Sequence, residues 1–317
     1  MTTLRISRVA ALGKIRSERE FLRSPTSAAL HAFDSWLVEN MDWAAGHCGD
    51  QWSRSFANGA LHAFVFRVRL DAGKDAVLAG TIAPSADELG RQFPLAVVAE
   101  LESPATLAPS PELLPVLLEQ LWDQSAEIVF ESSDRGIHPA SRLSHIEHVL
   151  TPDLESARSA YDEWLHKCTA PELAALCAES SAHFLESLAV LADAIRPHRA
   201  SERPNTPLSF HLPLGHGGGA VACFWLDLLR RGMAWTRTVP SFFWSADHDD
   251  AHVLLHLGEP PKQTLAELWG ARGKSDAFCD LATPHARERP DLSLPPELAS
   301  ALSAPDTTLH QLLQILG

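Results

Sequence analysis

The hydrophobic positions of this chain change period several times, and those changes mark out its elements. From Pro25 through 26–45, Leu30, Phe33, Trp36, Leu37 and Met41 recur at helical spacing, and Gly46 is placed to end the helix. Over 61–70 (LHAFVFRVRL) the period drops to two. Phe64, Phe66, Val68 and Leu70 share one face and Arg67 and Arg69 the other, which predicts a strand half-covered by solvent. A partner strand is expected over 76–82 (AVLAGTI), reached through the turn 71–75. Ser85 stands three residues before Glu88, the spacing of a capping box, and Gly90 can end that single turn. Pro94 disfavours helix at Phe93 and opens a strand over 95–101.

Beyond a surface linker at 102–111, a helix is expected over 112–126, with Leu114, Leu117, Leu118, Leu121 and Trp122 on its apolar side. The β-rich EIVFES at 127–132 predicts a strand, and 133–150 reads as a connector. The second half predicts helices at 154–167 and 171–195, a polar loop at 196–206, and a strand at 208–214. A helix at 220–231, strands at 241–245 and 252–257, and helical segments at 264–269, 295–302 and 307–315 follow. Strands interleaved with helices favour a layered α/β architecture, and no repeat or low-complexity tract interrupts it. A division into 1–150 and 151–317, the two parts packed together, accommodates the length of 317 residues.

Composition narrows the classes of function. Hydrophobic residues at 45% and charged residues at 21% suit a folded chain with ample core. A net charge of −14, from 40 acidic and 26 basic residues, repels phosphate backbones and anionic lipid. Nucleic acid and membrane insertion are therefore excluded as expectations, and a basic protein surface is the better electrostatic match. MTTLRISRVAALGKIRSERE holds no apolar run long enough for a secretory leader, and no stretch reaches the ~20 apolar residues of a membrane helix. Five scattered cysteines without a CxxC pair read as reduced thiols, so a cytoplasmic protein is expected.

Candidate chemistry is sparse. In LPLGHGGGAV, Gly215, Gly217 and Ala220 satisfy a loose G-x-G-x-x-[GA] pattern between a strand and a helix, where backbone amides can hold a phosphate. The acid such a fold places ~20 residues on is missing at that distance, and the plain alternative is a turn entering a helix. The segment ADHDDAHVLLH concentrates His248, His252 and His256; on a helix His252 and His256 would share a face and suit zinc, whereas on a strand they flank Leu254. His145 and His148 lack the order of a zinc-protease motif. No nucleophile elbow or cysteine signature is present, so no catalytic residue, metal or cofactor is assigned.

Several stretches taken together resemble one family, the TagF (ImpM) accessory proteins of bacterial type VI secretion systems. Gly13-Lys14-Ile15 with Phe21 is similar to that family's opening element, and Phe33-Asp34-Ser35-Trp36-Leu37 to its aromatic-Asp-x-Trp-Leu helix. The stretch 80–87 (GTIAPSAD) resembles the strand that ends in Pro-Ser-x-Asp, and Gly90-Arg91-Gln92-Phe93-Pro94-Leu95 carries the Gly-Arg-x-Phe-Pro-Leu signature intact. Further on, 240–244 (PSFFW), ending in Trp244, and 257–261 (LGEPP) resemble two later elements. The first element departs from the pattern, with Arg16 where Pro is usual and Arg19-Glu20 where Gly-Asp is usual.

The resemblance implies a three-layer αβα sandwich with a mixed sheet and additional helices in the C-terminal half. It also implies a non-enzymatic cytoplasmic protein that represses or tunes assembly of the secretion machine after translation, with no cofactor. The implied partner is the forkhead-associated (FHA) domain scaffold of that system. Family-signature or contact positions are then Gly13, Lys14, Asp34, Trp36, Gly90, Arg91, Phe93, Pro94 and Trp244. Phe93 is expected in the core, and Arg91 either locks the fold through an ion pair or contacts a partner. A nucleotide- or metal-binding enzyme using 215–220 or His248, His252 and His256 is the competing class.

Overall fold

In the computed structural model, residues 5–23, 27–70, 75–102, 107, 110–146, 153–177, 181–201, 208–245, 251–271, 278–282 and 296–316 are described. The turn expected at 71–75, most of the linker at 102–111, and His148 and His248 therefore lie largely or wholly outside them. The strands are β1 (Ile6–Gly13), β2 (His62–Arg69), β3 (Asp75–Ala83), β4 (Leu95–Leu101), β5 (Ser209–Pro213), β6 (Ser241–Ser245), β7 (His252–His256) and β8 (Phe278–Asp280). The helices are α1 (Ala28–Ala57), α2 (Leu114–Leu117), α3 (Glu119–Arg135), α4 (Leu143–Ile146), α5 (Leu154–Lys167), α6 (Ala170–Cys177), α7 (Ser181–Ile195), α8 (Gly218–Gly232), α9 (Thr264–Leu268), α10 (Pro296–Ser303) and α11 (Leu309–Leu316).

All eight strands form one mixed sheet in the order β1-β4-β3-β2-β6-β7-β5-β8, antiparallel except for the β5–β8 pair. The join between the two halves of the chain is the β2–β6 pairing, which sets Phe64 opposite Phe243 and His62 opposite Ser245. Helices cover both faces. On one side Val65, Val77, Ala79, Val97 and Phe242 pack with residues of α3, α5, α7 and α8. On the other, Phe64, Phe66, Leu78, Val98 and Phe243 pack with α1 and α9. That is the expected three-layer arrangement, but β2 is not half-solvated: Val65 is fully buried, and Arg69 alone on that strand is exposed. Helices close over the second face, as in sheets whose strands read as nearly continuous apolar runs.

Two other departures have local causes. Helix α1 does not stop at Gly46; it kinks at Gly49 (φ 53°) and resumes, so that Trp52 and Phe56 pack on Trp269 at ring-centroid distances of 5.9 and 5.1 Å. The segment 127–132 is helical rather than a strand. Ile128 and Val129 continue the buried face begun by Leu121, Trp122 and Ser125, and the odd aromatic, Phe130, stays 58% exposed. Helical periodicity across the whole segment outweighed the β-propensity of six residues. Of the helix expected over 171–195, the described residues show α6 and α7, and 178–180 lie outside them. Edge strands β1 and β8 carry too short or too mixed a pattern to have been expected. Among the described residues no helix is long and apolar enough to cross a membrane.

Candidate functional site

Most of the signature positions meet at one corner of the sheet, and a glycine explains why. Gly13 ends β1 at φ +121°, and a Cβ there would lie 1.8 Å from the Pro94 carbonyl oxygen. Only glycine admits both that backbone and that approach. Its N–H donates to the Leu22 carbonyl (3.0 Å) and its carbonyl accepts from the Leu22 N–H (2.8 Å). The pair closes 14–21 into a loop whose root, Lys14 and Ile15, is buried and whose remainder is exposed.

A second loop, 84–94, packs against the first and is organised around Asp87. Its carboxylate accepts from four donors: Leu89 N–H (3.0 Å) and Arg91 N–H (2.9 Å) on Oδ1, Lys14 Nζ (2.8 Å) and Arg91 Nε (2.6 Å) on Oδ2. An Asp that bonds backbone N–H groups two and four residues ahead holds a turn without helix. The Ser85–Glu88 capping box accordingly does not form. The backbone makes a bridge at Ala86 and Gln92, the Ser85 carbonyl accepts from Phe93 N–H (3.1 Å), and Gly90 takes φ +77°. Burial raises the Asp87 carboxyl, but the Lys14 and Arg91 hydrogen bonds, with the Lys14 charge, hold it well below the usual carboxylate range.

The two loops are also stitched at their rims. Arg91 Nη2 donates to the Arg19 carbonyl (2.8 Å), Glu88 N–H to the Glu18 carbonyl (3.1 Å), and Arg19 Nε to Glu88 Oε2 (2.8 Å). Phe93 is buried and meets the edge of Phe21 at 4.9 Å, while Lys14 Nζ sits 4.5 Å from the centre of the Phe21 ring. Asp34 joins from α1 through Arg23 (3.3 Å). Arg91 is thus in an ion pair and yet 57% exposed along its side chain. Beside it the corner presents Phe21, 38% exposed, and Leu89, 61% exposed, among Arg16, Arg19 and Glu88.

Trp36 and Trp244 lie elsewhere. Trp36 donates to the Pro260 carbonyl (3.0 Å) and stacks on Phe33 and Phe243, binding α1 to the C-terminal half. Trp244 is on the opposite face, edge-on to Trp122.

The competing sites take structural roles among the described residues. Gly215 (φ +49°) would set a Cβ 2.0 Å from the Leu176 carbonyl oxygen, and His216 N–H donates to that same oxygen (3.0 Å). What the glycine loop admits is therefore the backbone at the end of α6. His252 and His256 sit on β7, the strand alternative, on the face of Leu254. They join His62 and His211 in a buried layer in which His211 Nε2 lies 3.1 Å from Glu267 and His256 Nδ1 2.7 Å from Ser209 Oγ. Burial, reinforced by neighbouring histidines, lowers His62 and His256 to about 3. Among the described residues no three His, Cys, Asp or Glu side chains are placed to hold a metal ion.

Sequence reasoning missed Asp87 as an organiser, although D-x-L-G-R carries the spacing of its two backbone bonds. It also missed a second ionic cluster, which no local pattern announces. Glu112, at the start of the α2 region, meets Arg158 of α5 (3.2 Å) and Arg230 of α8 (3.1 Å). Asp227 meets Arg230 (2.7 Å) and Arg231 (2.9 Å) and accepts from Tyr161 (3.4 Å). Burial pushes the Glu112 carboxyl up in spite of its arginines.

Residues 10–149 match the TagF N-terminal domain, described as type VI secretion system-associated. No curated protein matches the chain. The crystal structure of PA0076 from Pseudomonas aeruginosa PAO1 is similar with a TM-score of 0.49 and 15% sequence identity, over 84% of this chain and 96% of that one.

Proposed function

We propose, from the match of residues 10–149 to the type VI secretion system-associated TagF N-terminal domain, an accessory protein that represses or tunes assembly of the secretion machine by binding one of its components. It acts in the cytoplasm and by contact, without making or breaking bonds, and the component is the system's FHA-domain scaffold. The observation that carries this reading is the corner itself. Its ionisable groups are spent on one another around Asp87, which suits a rigid surface better than a reacting centre. What remains outward is Phe21 and Leu89 among charges, the mixture of apolar anchor and polar rim that protein contacts use.

The net charge of −14 favours a basic face on the partner, so association weakens as salt rises. Three measurements test the reading: co-purification with the scaffold, secretion on overproduction, and secretion on deletion. Overproduction is expected to suppress secretion, and Leu89→Asp, on an open position, to relieve that suppression while the protein stays folded. Secretion unchanged by both overproduction and deletion sinks the regulatory role. Suppression without scaffold binding keeps the role and rejects the partner.

A further inference from the structure

The outer face of α3 is built against the helix's own stability. Glu119, Asp123, Glu127, Phe130 and Asp134 recur at spacings of three and four and are all exposed, so they form one stripe, opposite the buried Leu121, Ser125 and Ile128. Glu119, Asp123 and Glu127 follow one another at i,i+4, where like charges repel. Asp134 falls in the last turn, at the negative end of the helix dipole. Phe130 leaves 58% of its surface in water. Each cost is small, and an exposed aromatic by itself is ordinary. Their coincidence on one stripe calls for a cause outside the helix.

Nothing on the helix offsets these charges. Its one base, Arg135, turns to the buried Glu131 (4.0 Å), which Arg142 also meets (3.2 Å). Among the described residues the four acids of the stripe make no ion pair, whereas at the corner Arg19 meets Glu88, Arg23 meets Asp34 and Arg91 meets Asp87. The stripe also runs up to the corner: a Cβ on Gly136, which caps α3, would lie 3.4 Å from Ser17 Cβ in the loop 14–21. Phe130 is about 9 Å back along the helix axis from that glycine.

From this stripe we infer that α3 docks an arginine-bearing segment of the partner protein, with one guanidinium stacked on the Phe130 ring between Glu127 and Asp134. Those two carboxylates are the i−3 and i+4 neighbours of Phe130, so they flank its ring on the helix surface. A guanidinium is planar, stacks on an aromatic face and meets carboxylates edge-on, whereas an ammonium is a hydrated point charge. Arginine therefore suits the stripe better than lysine. The inference rests on the proposed secretion role for the identity of the partner. It places on α3 the basic contact that a net charge of −14 favours and that the corner, with its charges paired, does not offer.

The test titrates the full chain by calorimetry at low salt with a short peptide of alternating Arg and Ser and with its Lys counterpart, and maps each by hydrogen exchange. The Arg peptide should bind saturably, protect α3, and bind about three- to fivefold more tightly than the Lys peptide. Phe130→Ala should remove that preference, and Glu127→Gln/Asp134→Asn should weaken both peptides about tenfold. Glu155→Gln/Asp162→Asn on α5 makes the same charge change away from the stripe and should leave both affinities within about twofold. All these positions are exposed, so each variant should melt like the wild type. Phe130→Ala should also lower co-purification with the scaffold; a scaffold that ignores the wild type rejects that partner, and the peptide comparison then decides alone. Absence of saturable binding, equal affinity for the two peptides, an equal loss in the α5 control, protection away from α3, or undiminished scaffold binding by Phe130→Ala overturns the inference.

Discussion

The corner around Asp87 and the cluster around Glu112 and Asp227 are both arrangements of acids and bases withdrawn from water, and they behave in opposite ways. Asp87 accepts four hydrogen bonds, two of them from backbone N–H groups fixed by its own turn, and its carboxyl is held low. Glu112 has two arginines within 3.2 Å, and its carboxyl is nevertheless pushed up. Charge is not what separates them, since each carboxylate has two cations. Hydrogen-bond geometry is. Donors aimed at both oxygens replace the lost water, whereas ion pairs across partly exposed arginines do not fully repay desolvation, which a second buried acid, Asp227, makes worse. An ionised corner with fully occupied oxygens is rigid; the other cluster is a tolerated cost of joining α5 and α8 to the start of the second helix.

Four substitutions and a titration sharpen that contrast, taken from the largest expected effect. Gly13→Ala drives a Cβ into the Pro94 carbonyl and strains a positive φ, so it should cost more than about 4 kcal/mol, or abolish cooperative folding, by denaturant titration. Asp87→Asn leaves the buried Lys14 without its anion and breaks the two-loop joint, and should lower Tm more than any single change in the Glu112 cluster. Arg91→Ala removes one guanidinium partner and the bond to Arg19, for about 1–2 kcal/mol. Glu112→Gln keeps the shape and removes the charge that burial disfavours, and should change stability by no more than about 1 kcal/mol. Equal losses for Asp87→Asn and Glu112→Gln would erase the distinction.

The pH dependence separates the two carboxyls by sign. Asp87 is depressed when folded, so its stabilisation is present above its ordinary value of 3.8 and is lost as pH falls below it. Glu112 is raised, so the folded state binds the proton first, and stability rises as pH falls toward 4.5. His62 and His256, lowered to about 3, add a third slope. Unfolded chains take up their protons from pH 6.5 downward, and stability falls from there to about 3. Stability should therefore fall more steeply with acid through the mild-acid range in Glu112→Gln than in wild type, and less steeply below pH 4 in Asp87→Asn. Identical profiles in wild type and Glu112→Gln would show that Glu112 is not raised.

How much of this was legible beforehand varies with the range of the interaction. The strand 241–245, the helix 154–167 and the strand entry at Pro94 are written in a few neighbouring residues and were read correctly. Phe93 was read as a core residue, and it is buried. Arg91 was left between an ion pair and a contact; the structure supplies the pair and leaves the side chain more than half exposed. The glycine run and the histidines looked like ligand sites because their spacing is shared with such sites. Nothing in a spacing says whether the space a glycine opens is filled by a phosphate or, as at Gly215, by the carbonyl of Leu176.

By itself the sequence determined the period of each strong element, the glycine and proline punctuation around the corner, and the motifs there that match the TagF N-terminal domain. Only the tertiary structure decided that Lys14 donates to Asp87, 73 residues away, that 127–132 joins a helix, and that β2 and β6 merge the halves into one sheet. The reason is physical. Backbone preferences and caps act over a few residues, whereas desolvation, ion pairing and strand register depend on what the rest of the chain brings alongside.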